Sequence, residues 1–308
     1  MTAQNLFNAI FNASLAVMVT TLVAGLGLSL TVRQILEPLR RVWVLLATVV
    51  VNSVLAPLIA IGVCHALPLS TEHRVGLELA TIAAAGPVGM KAAQFTKRAD
   101  MAMALSFTIV LQLLNVAAAP LWAKQVVTGA SVDLWTIVKD LLLLVLAPLV
   151  IGLVLRARHP DHAEGWKAGL EKASNIGLVT AIAVGLAVNW SLLVSSLGSW
   201  ILVASAVIVI AYIVVGWVAG RVGDAQSAVT ISMVSSMRFT PIGLVVIAAV
   251  LHNQGAYLIP ALLFSLVDTV IPLGVGIEIG RAASHVETSA AAASAPPAQT
   301  APTAGATG

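Results

Sequence analysis

The sequence contains few charged residues, few aromatic residues and a single cysteine. Asp, Glu, Lys and Arg make up 9% of the 308 residues and aromatic residues 5%, whereas 59% are hydrophobic. A chain of this composition cannot bury its apolar surface in a water-soluble fold, which excludes a soluble globular domain. The lone Cys64 lies in an apolar segment, so the sequence offers neither a disulfide framework nor a thiolate metal site.

Catalytic signatures are missing as well. The sequence has no P-loop, no HExxH and no GxSxG. We therefore expect no enzyme, no cofactor and no certain metal site, with energy coming from an ion gradient or from the substrate gradient. The net charge of +3 does not indicate a nucleic-acid partner, because the basic residues are scattered over short loops.

What the sequence does contain is a series of apolar segments of about 20 residues, the length that crosses a bilayer. Continuous segments span residues 7–30, 42–65, 101–122, 134–155, 174–194, 197–219 and 256–280. Two more are interrupted: residues 75–97, at Gly86 and Pro87, and residues 226–251, around Thr240 and Pro241. The pattern predicts an all-α polytopic membrane protein with about nine transmembrane helices in a lipid bilayer.

The two halves of the chain show a similar organisation. In each half an interrupted segment is followed by a long helix that carries a Pro-Leu pair, at Pro120 and at Pro272. This spacing predicts an inverted repeat in a transmembrane domain of residues 1–281, with residues 7–125 as a first repeat that lacks one helix and residues 132–281 as the second. Residues 282–308, rich in Ala, Pro, Thr and Ser, are expected to form a disordered cytoplasmic tail.

The distribution of Lys and Arg predicts the orientation, because cytoplasmic loops carry an excess of both. With the loop after the first helix inside, the basic residues on that side are Arg33, Arg40, Arg41, Lys97, Arg98, Arg156, Arg158, Lys167, Lys172, Arg221 and Arg281. The other side has Arg74, Lys124 and Lys139. We therefore expect a multi-pass protein of the inner (plasma) membrane, with the N-terminus outside and the C-terminus in the cytoplasm.

Three charged residues lie within predicted spans. Lys91 and Arg238 each stand next to an interruption, and Asp268 lies deep in the last apolar segment. Because a charge at mid-bilayer is costly, such residues usually face the protein interior and a partner. We predict that Asp268 pairs with Arg238 or Lys91; snorkelling of Lys91 and a purely structural ion pair are the alternatives.

The interruptions themselves predict a binding site. A break in lipid frees backbone groups that must be satisfied by protein, water or ligand, and the half-helix ends place partial charges at the midplane. Neighbouring polar side chains complete the candidate substrate or ion site, or hold helices together. They are Gln112 and Asn115, three residues apart on one helix, and Ser235, Ser236 and Thr240 beside Arg238.

Four stretches resemble the bile acid:sodium symporter family over about residues 7–280. They are GLGLSL at 25–30, AAAGPVGMKAAQF at 83–95, SSMRFTPIGL at 235–244 and ALLFSLVD at 261–268. The resemblance implies a sodium/proton antiporter-like core that contains two crossing discontinuous helices and moves against a panel domain in alternating access. It also implies symport of an organic anion with sodium, and places Asn52 at a sodium-binding amide.

The chain departs from the family at other sodium positions. Lys91 replaces polar residues after the first break, and a carboxylate and an amide expected near Val234 and Arg238 are lost. A fixed ammonium and guanidinium supply the positive charge of bound cations. We therefore expect a secondary transporter of a small organic anion without obligatory sodium, with Na+ or H+ as possible coupling ions and Asp268 and Lys91 as a proton route.

Two other classes remain open from the sequence. A drug/metabolite-type exporter with ten helices has a similar length, and a channel or sensory membrane subunit could use the interior charges as a gate. Bile acids, sulfonates, keto acids and pantothenate-like compounds all fit the expected substrate class. Transport direction and oligomeric state are left undetermined.

Overall fold

The computed structural model describes residues 3–29, 31, 36, 40–86, 88–127 and 134–294. Over these ranges the ordered elements are helices, and the prediction of an all-α fold is confirmed. The α-helices are α1 (Ala3–Ser29), α2 (Val42–Val50), α3 (Ala56–Ala66), α4 (Thr71–Thr81), α5 (Val88–Phe95), α6 (Met101–Val126), α7 (Leu134–Leu141), α8 (Ala147–Arg158), α9 (Pro160–Val188), α10 (Trp190–Leu197), α11 (Ile201–Gly220), α12 (Ala225–Ser236), α13 (Thr240–Leu251) and α14 (Gly255–Ser294).

Eight helical segments in the described part of the chain are long and apolar enough to cross a membrane. Two of them, residues 42–66 and 135–158, each consist of two α-helices joined by a π-helical turn, at Val51–Leu55 and at Leu142–Leu146. Helices α4 and α5 together form the interrupted segment and are individually too short to span. The chain is therefore a multi-pass membrane protein, while nine crossings and the inverted repeat stay predictions.

Both π-helical turns stand just before a proline. Pro57 and Pro148 lie in the first turn of α3 and α8, where their missing N–H groups leave carbonyls of the preceding turn without an intrahelical partner. The i→i+5 pattern shifts the hydrogen bonds, so that the N–H of Ala56 donates to Val51 O. The apolar pattern of the sequence does not reveal either turn. The first of them contains Asn52.

The helices form two packed groups. Helices α1, α8 and α9 pack on one another and, with α7, which continues through a π-helical turn into α8, are called the panel body. Helices α2–α6 with α11–α14 pack around the two breaks and are called the core body. Small residues allow the close panel packing: a Cβ atom on Gly27 of α1 would lie 3.0 Å from Cα of Gly152 of α8. The bodies meet where α1 contacts α13, α9 contacts α14 and α6 contacts α7.

Three predicted boundaries differ from the structure. Helix α9 begins at Pro160, not near residue 174, because a proline in the first turn needs no hydrogen-bond partner and the charged residues after it extend the helix beyond the apolar segment. Helix α14 continues to Ser294, so residues 282–294 are helical in their alanine-rich sequence, not irregular. Residues 295–308 lie outside the described part.

The third difference concerns the second interruption. It was predicted around Thr240 and Pro241, but the non-helical residues are Met237–Phe239, and Thr240 and Pro241 begin α13. Proline starts this helix because its fixed φ suits the first turn. The first interruption lies at residues 82–86, and Pro87, which was predicted to cause it, lies outside the described residues.

Candidate functional site

The two interruptions cross and pair through their backbones. The N–H of Phe239 donates to Ala83 O at 3.1 Å, and the N–H of Gly86 donates to Met237 O at 2.9 Å. Groups that the breaks leave free are thereby satisfied inside the protein, as a low-dielectric interior requires. Gly86 is needed here, because a Cβ atom would lie 2.6 Å from the carbonyl oxygen of Arg238.

Two amide side chains from α6 complete the first break. Asn115 Oδ1 accepts from the N–H of Ala84 at 2.8 Å, and Asn115 Nδ2 donates to Ala84 O at 3.0 Å. Gln112 Nε2 donates to Ala85 O at 2.8 Å, and its Oε1 accepts from Asn115 Nδ2 at 3.2 Å. The structure thus brings Gln112 and Asn115 together, and both bind the broken backbone.

The Arg238 guanidinium lies at the centre of the core body. The residue is 3% exposed, and its side chain donates three hydrogen bonds to oxygen atoms of two other elements. Nε donates to Thr81 O at 2.9 Å, Nη1 to Asn52 Oδ1 at 3.3 Å and Nη2 to Asn52 O at 3.1 Å. The Tyr212 ring lies below, with its centroid 5.3 Å from Cζ, which adds a cation–π contact.

The π-helical turn explains why a main-chain oxygen of Asn52 is free to bind this cation. In an α-helix it would accept from Ala56, but that N–H is used by Val51 O, and the next residue, Pro57, has no N–H. The neighbouring carbonyl of Ser53, also left free by Pro57, accepts from Trp122 Nε1 at 2.8 Å. One proline therefore prepares an acceptor for Arg238.

The Asn52 side chain is fully engaged. Its Nδ2 donates to Thr48 O at 2.9 Å and to Ser235 Oγ at 2.8 Å, which leaves Oδ1 facing the guanidinium. Ser236 is turned away, since its hydroxyl donates to Met233 O at 2.8 Å. Asn52 and Ser235, both named from the sequence, are thus brought to Arg238, and Ser236 has a local backbone role.

The predicted ion pair of Asp268 takes a different form. Its two carboxylate oxygens accept from the backbone N–H of Arg238 at 3.2 and 3.0 Å, and no Lys or Arg side chain of the described residues lies within 4.0 Å of them. The backbone N–H is available because α12 has ended there. A carboxylate also suits the adjoining N-terminus of α13. Thr240, one turn away, has a buried hydroxyl without a partner in the described structure.

Lys91 does not join this cluster. It lies exposed on α5, in a cavity of about 310 Å³ between the panel and core bodies. The prediction of an Asp268 pair with Lys91 is therefore wrong, because the helix that carries Lys91 turns the side chain toward α1 and α9. We call this the inner cavity, and the one at the other end of the boundary the outer cavity, because the Lys and Arg distribution predicts this side to be cytoplasmic. The polar residues lining the inner cavity are Ser29, Lys91, Gln94, Lys167, Glu171 and Asn175.

A second cavity lies at the other end of the boundary between the bodies. It measures about 240 Å³ and is lined by Asn12 of α1, Asp140 of α7 and apolar residues of α13. Close to it, Asn253 Nδ2 donates to Asn12 Oδ1 at 3.1 Å and lies 3.4 Å from Asn8 Oδ1. This amide contact ties the core body to the panel body beside the outer cavity.

Several residues of these sites were not named from the sequence. Thr81 contributes only a backbone oxygen, which no residue type reveals. Tyr212, the one tyrosine in a long apolar segment, was a detectable signal, and its hydroxyl donates to Ala56 O at 2.9 Å. Lys167, Glu171 and Asn175 were missed because α9 was predicted to begin after most of them.

The family of the chain is shown by its match to a known sequence profile. No curated protein matches the chain significantly. The sequence profile of the SBF-like CPA transporter family matches residues 3–272, nearly the whole membrane part. The resemblance to bile acid:sodium symporters is confirmed at the level of the family: the chain is a divergent member of the SBF-like CPA transporter family and a membrane transporter.

Proposed function

We propose that this protein is a secondary transporter of a small organic anion that does not require sodium. In this proposal the Arg238 guanidinium stands in for a coupling cation. The observation that supports it is the environment of that guanidinium. Arg238 is 3% exposed, and its guanidinium donates to the side-chain and main-chain oxygens of Asn52 and to Thr81 O.

Sodium is a hard cation that binds carbonyl, amide and hydroxyl oxygens, and these are the groups that Arg238 already uses. A guanidinium has five N–H donors and no acceptor, so it satisfies such oxygens and repels a second cation. The Asn52 amide, which the resemblance implies as a sodium ligand, is therefore engaged by the chain itself. These residues do not fit a sodium ion at this position.

The first break supports the same proposal. Its free N–H and C=O groups at Ala84 and Ala85 are bound by the amides of Asn115 and Gln112. The backbone here is satisfied by uncharged protein groups. These groups of the first break therefore complete their hydrogen bonds without an ion.

The inner cavity supports an anionic substrate of small size. Lys91 and Lys167 line it opposite a single carboxylate, Glu171. Its volume of about 310 Å³ is at the lower end of ligand sites, which favours a small carboxylate or sulfonate over a steroid. Alternating access would then consist of movement of the core body along the panel body, opening the inner and the outer cavity in turn.

The test is uptake of four labelled monoanions, taurocholate, isethionate, 2-oxoisovalerate and pantothenate, into proteoliposomes. Sodium and proton gradients are imposed separately, with choline as the sodium replacement. We expect uptake of at least one of the three smaller anions to be unchanged in choline. Strictly sodium-dependent uptake would show that the proposal is wrong.

Substitution of the guanidinium gives the second arm. Arg238→Ala should lower this uptake at least tenfold, and Arg238→Lys should restore only part of it, because an ammonium cannot bind three oxygens in a plane. Arg98→Ala, at an exposed arginine after α5, is the control and should transport normally. Full uptake by a folded Arg238→Ala protein would leave Arg238 a structural residue only.

A further inference from the structure

A cation that is part of the polypeptide differs from a bound ion in how it affects a transport cycle. Arg238 is held by Asn52, Thr81 and the ring of Tyr212, all within the core body. If the core body moves, the guanidinium moves with it and returns with it. Over a complete cycle the guanidinium therefore causes no net movement of charge across the membrane.

A group without net movement contributes no free energy to the process. Bound sodium that enters with the substrate brings in the free energy of its gradient, whereas Arg238 lowers only the cost of holding an anion in the low-dielectric core. It thus helps binding and does not drive accumulation. The only charge moved per cycle is then that of the substrate.

We propose that the protein is an electrogenic uniporter that exports a small organic anion from the cytoplasm. This rests on the proposed sodium independence. With the inside negative, the membrane potential drives an uncoupled anion outward; since one charge across 100 mV is worth ~2.3 kcal/mol, a monoanion is distributed about 50-fold in favour of the outside at that potential.

The inner cavity lies at the end where an exporter would load. It is lined by Ser29, the last residue of α1, and by Lys167 in the first part of α9. The last turn of α8, directly before α9, carries Arg156 and Arg158, two of the basic residues that predict this side to be cytoplasmic. At the opposite side, the contact of Asn253 with Asn12 joins the two bodies.

A cotransported proton is the main alternative, because it would make transport of a monoanion electroneutral. Two buried carboxyl groups are the candidates. Asp268 accepts the N–H of Arg238, and Glu78 lies 3.4 Å from the partly exposed His65 ring. Neither lines the inner cavity, and among the described residues that do, Glu171 is the one carboxylate.

The experiment uses full-length protein in sodium-free proteoliposomes and the labelled monoanion that gave uptake in the panel above. A potassium gradient with valinomycin sets the potential at equal pH on both sides. We expect accumulation of about tenfold when the lumen is 60 mV positive, since one charge across 100 mV is worth ~2.3 kcal/mol, and a similar depletion when it is 60 mV negative. Random orientation of the protein does not alter this equilibrium ratio.

The outcomes separate the inference from the proposal on which it rests. Accumulation that follows a pH gradient and ignores the potential would overturn the inference and keep sodium independence. Accumulation that follows only a sodium gradient would overturn both, as would a failure of all four anions. Glu78→Gln, which removes the candidate proton site outside the Arg238 cluster, should leave the 60 mV ratio unchanged; a changed ratio would indicate proton coupling.

Discussion

The buried Arg238 guanidinium is stabilised without a carboxylate beside it in the described structure. Its partners are two carbonyl oxygens, one amide oxygen and an aromatic face, and the nearby Asp268 binds the backbone instead. Dipolar partners leave the net positive charge in place, whereas an ion pair would cancel it. A residue placed in this way keeps an attraction for anions that a salt bridge would have removed.

The aromatic partner gives a prediction at this scale. Tyr212→Phe removes the hydrogen bond to Ala56 O but keeps the ring under the guanidinium, so we expect a loss of about 1 kcal/mol in stability and uptake within twofold of wild type. Tyr212→Leu also removes the cation–π contact, worth about 2 kcal/mol when desolvated, and should lower uptake further, to a tenth. Thermal unfolding in detergent and anion uptake measure both effects. Equal effects of the two substitutions would assign the role to the hydroxyl group.

At the scale of elements, the π-helical turn Val51–Leu55 provides the main-chain oxygen that binds the Arg238 side chain. Pro57 removes the donor that would otherwise compete for the carbonyls of residues 52 and 53, and these oxygens bind Arg238 and Trp122. The equivalent turn before Pro148 has no contact with Arg238 among the described residues. Pro148 can therefore serve as the control for substitutions of Pro57.

Pro57→Ala supplies the missing N–H and allows the turn to close as an α-helix. We expect weaker binding of the guanidinium and at least a tenfold loss of uptake, since a hydrogen bond to a charged group contributes about 1.5–3 kcal/mol. Pro148→Ala should leave uptake within twofold. The same loss in both variants would mean that helix bending, not the freed carbonyl, is what matters.

The crossing of the two breaks gives a second prediction for an element. Gly86→Ala places a methyl group against the backbone oxygen of Arg238 at 2.6 Å, which forces the two segments apart. We expect a loss of at least 2 kcal/mol in stability, as for overpacking of a tightly packed core. Gly62→Ala, in a helix position with nothing within 4 Å, should be neutral or stabilise by about 0.5–1 kcal/mol. An equal response of the two variants in thermal unfolding would contradict the crossing geometry.

At the scale of the whole molecule, the two cavities predict access from opposite sides. In a Cys64→Ala background, Lys91→Cys should react with a membrane-impermeant maleimide added to inside-out vesicles and resist the reagent in right-side-out vesicles. Asp140→Cys, in the outer cavity, should show the reverse preference. Labelling of both positions from the same side would contradict the proposed polarity.

The sequence predicted the spans well and the contacts poorly. Hydropathy identifies apolar segments because each must face lipid by itself, so residues 42–66 and 101–126 were found with only small errors at their ends. The breaks were found because glycine and proline act locally. What a charged side chain meets depends on helix rotation, and for this reason the sequence left Arg238 and Lys91 open as partners of Asp268 and did not reveal that the Arg238 backbone N–H is the donor.

Asn52 illustrates which features of the site the sequence can reveal and which it cannot. Its position before Pro57 was visible in the sequence, and the family resemblance implied its amide as a sodium ligand, a role that stays a prediction. Its main-chain oxygen became available only through a hydrogen-bond shift of one residue, which no periodicity reveals. Backbone acceptors such as Thr81 O have no sequence signal at all, although they supply two of the three oxygens that bind Arg238.

The hydrogen bonds between residues 83–86 and 237–239 have a mechanical consequence. Because each break uses the other as its partner, neither interrupted helix can bend or slide alone without exposing unpaired amides to the interior. The crossing therefore holds the two interrupted helices rigidly together and does not act as a hinge. Any flexing that accompanies transport must be taken up elsewhere, and one connection between the bodies that the structure describes runs through Asn189 and Gly198, where α9 leaves the panel body and α11 enters the core body.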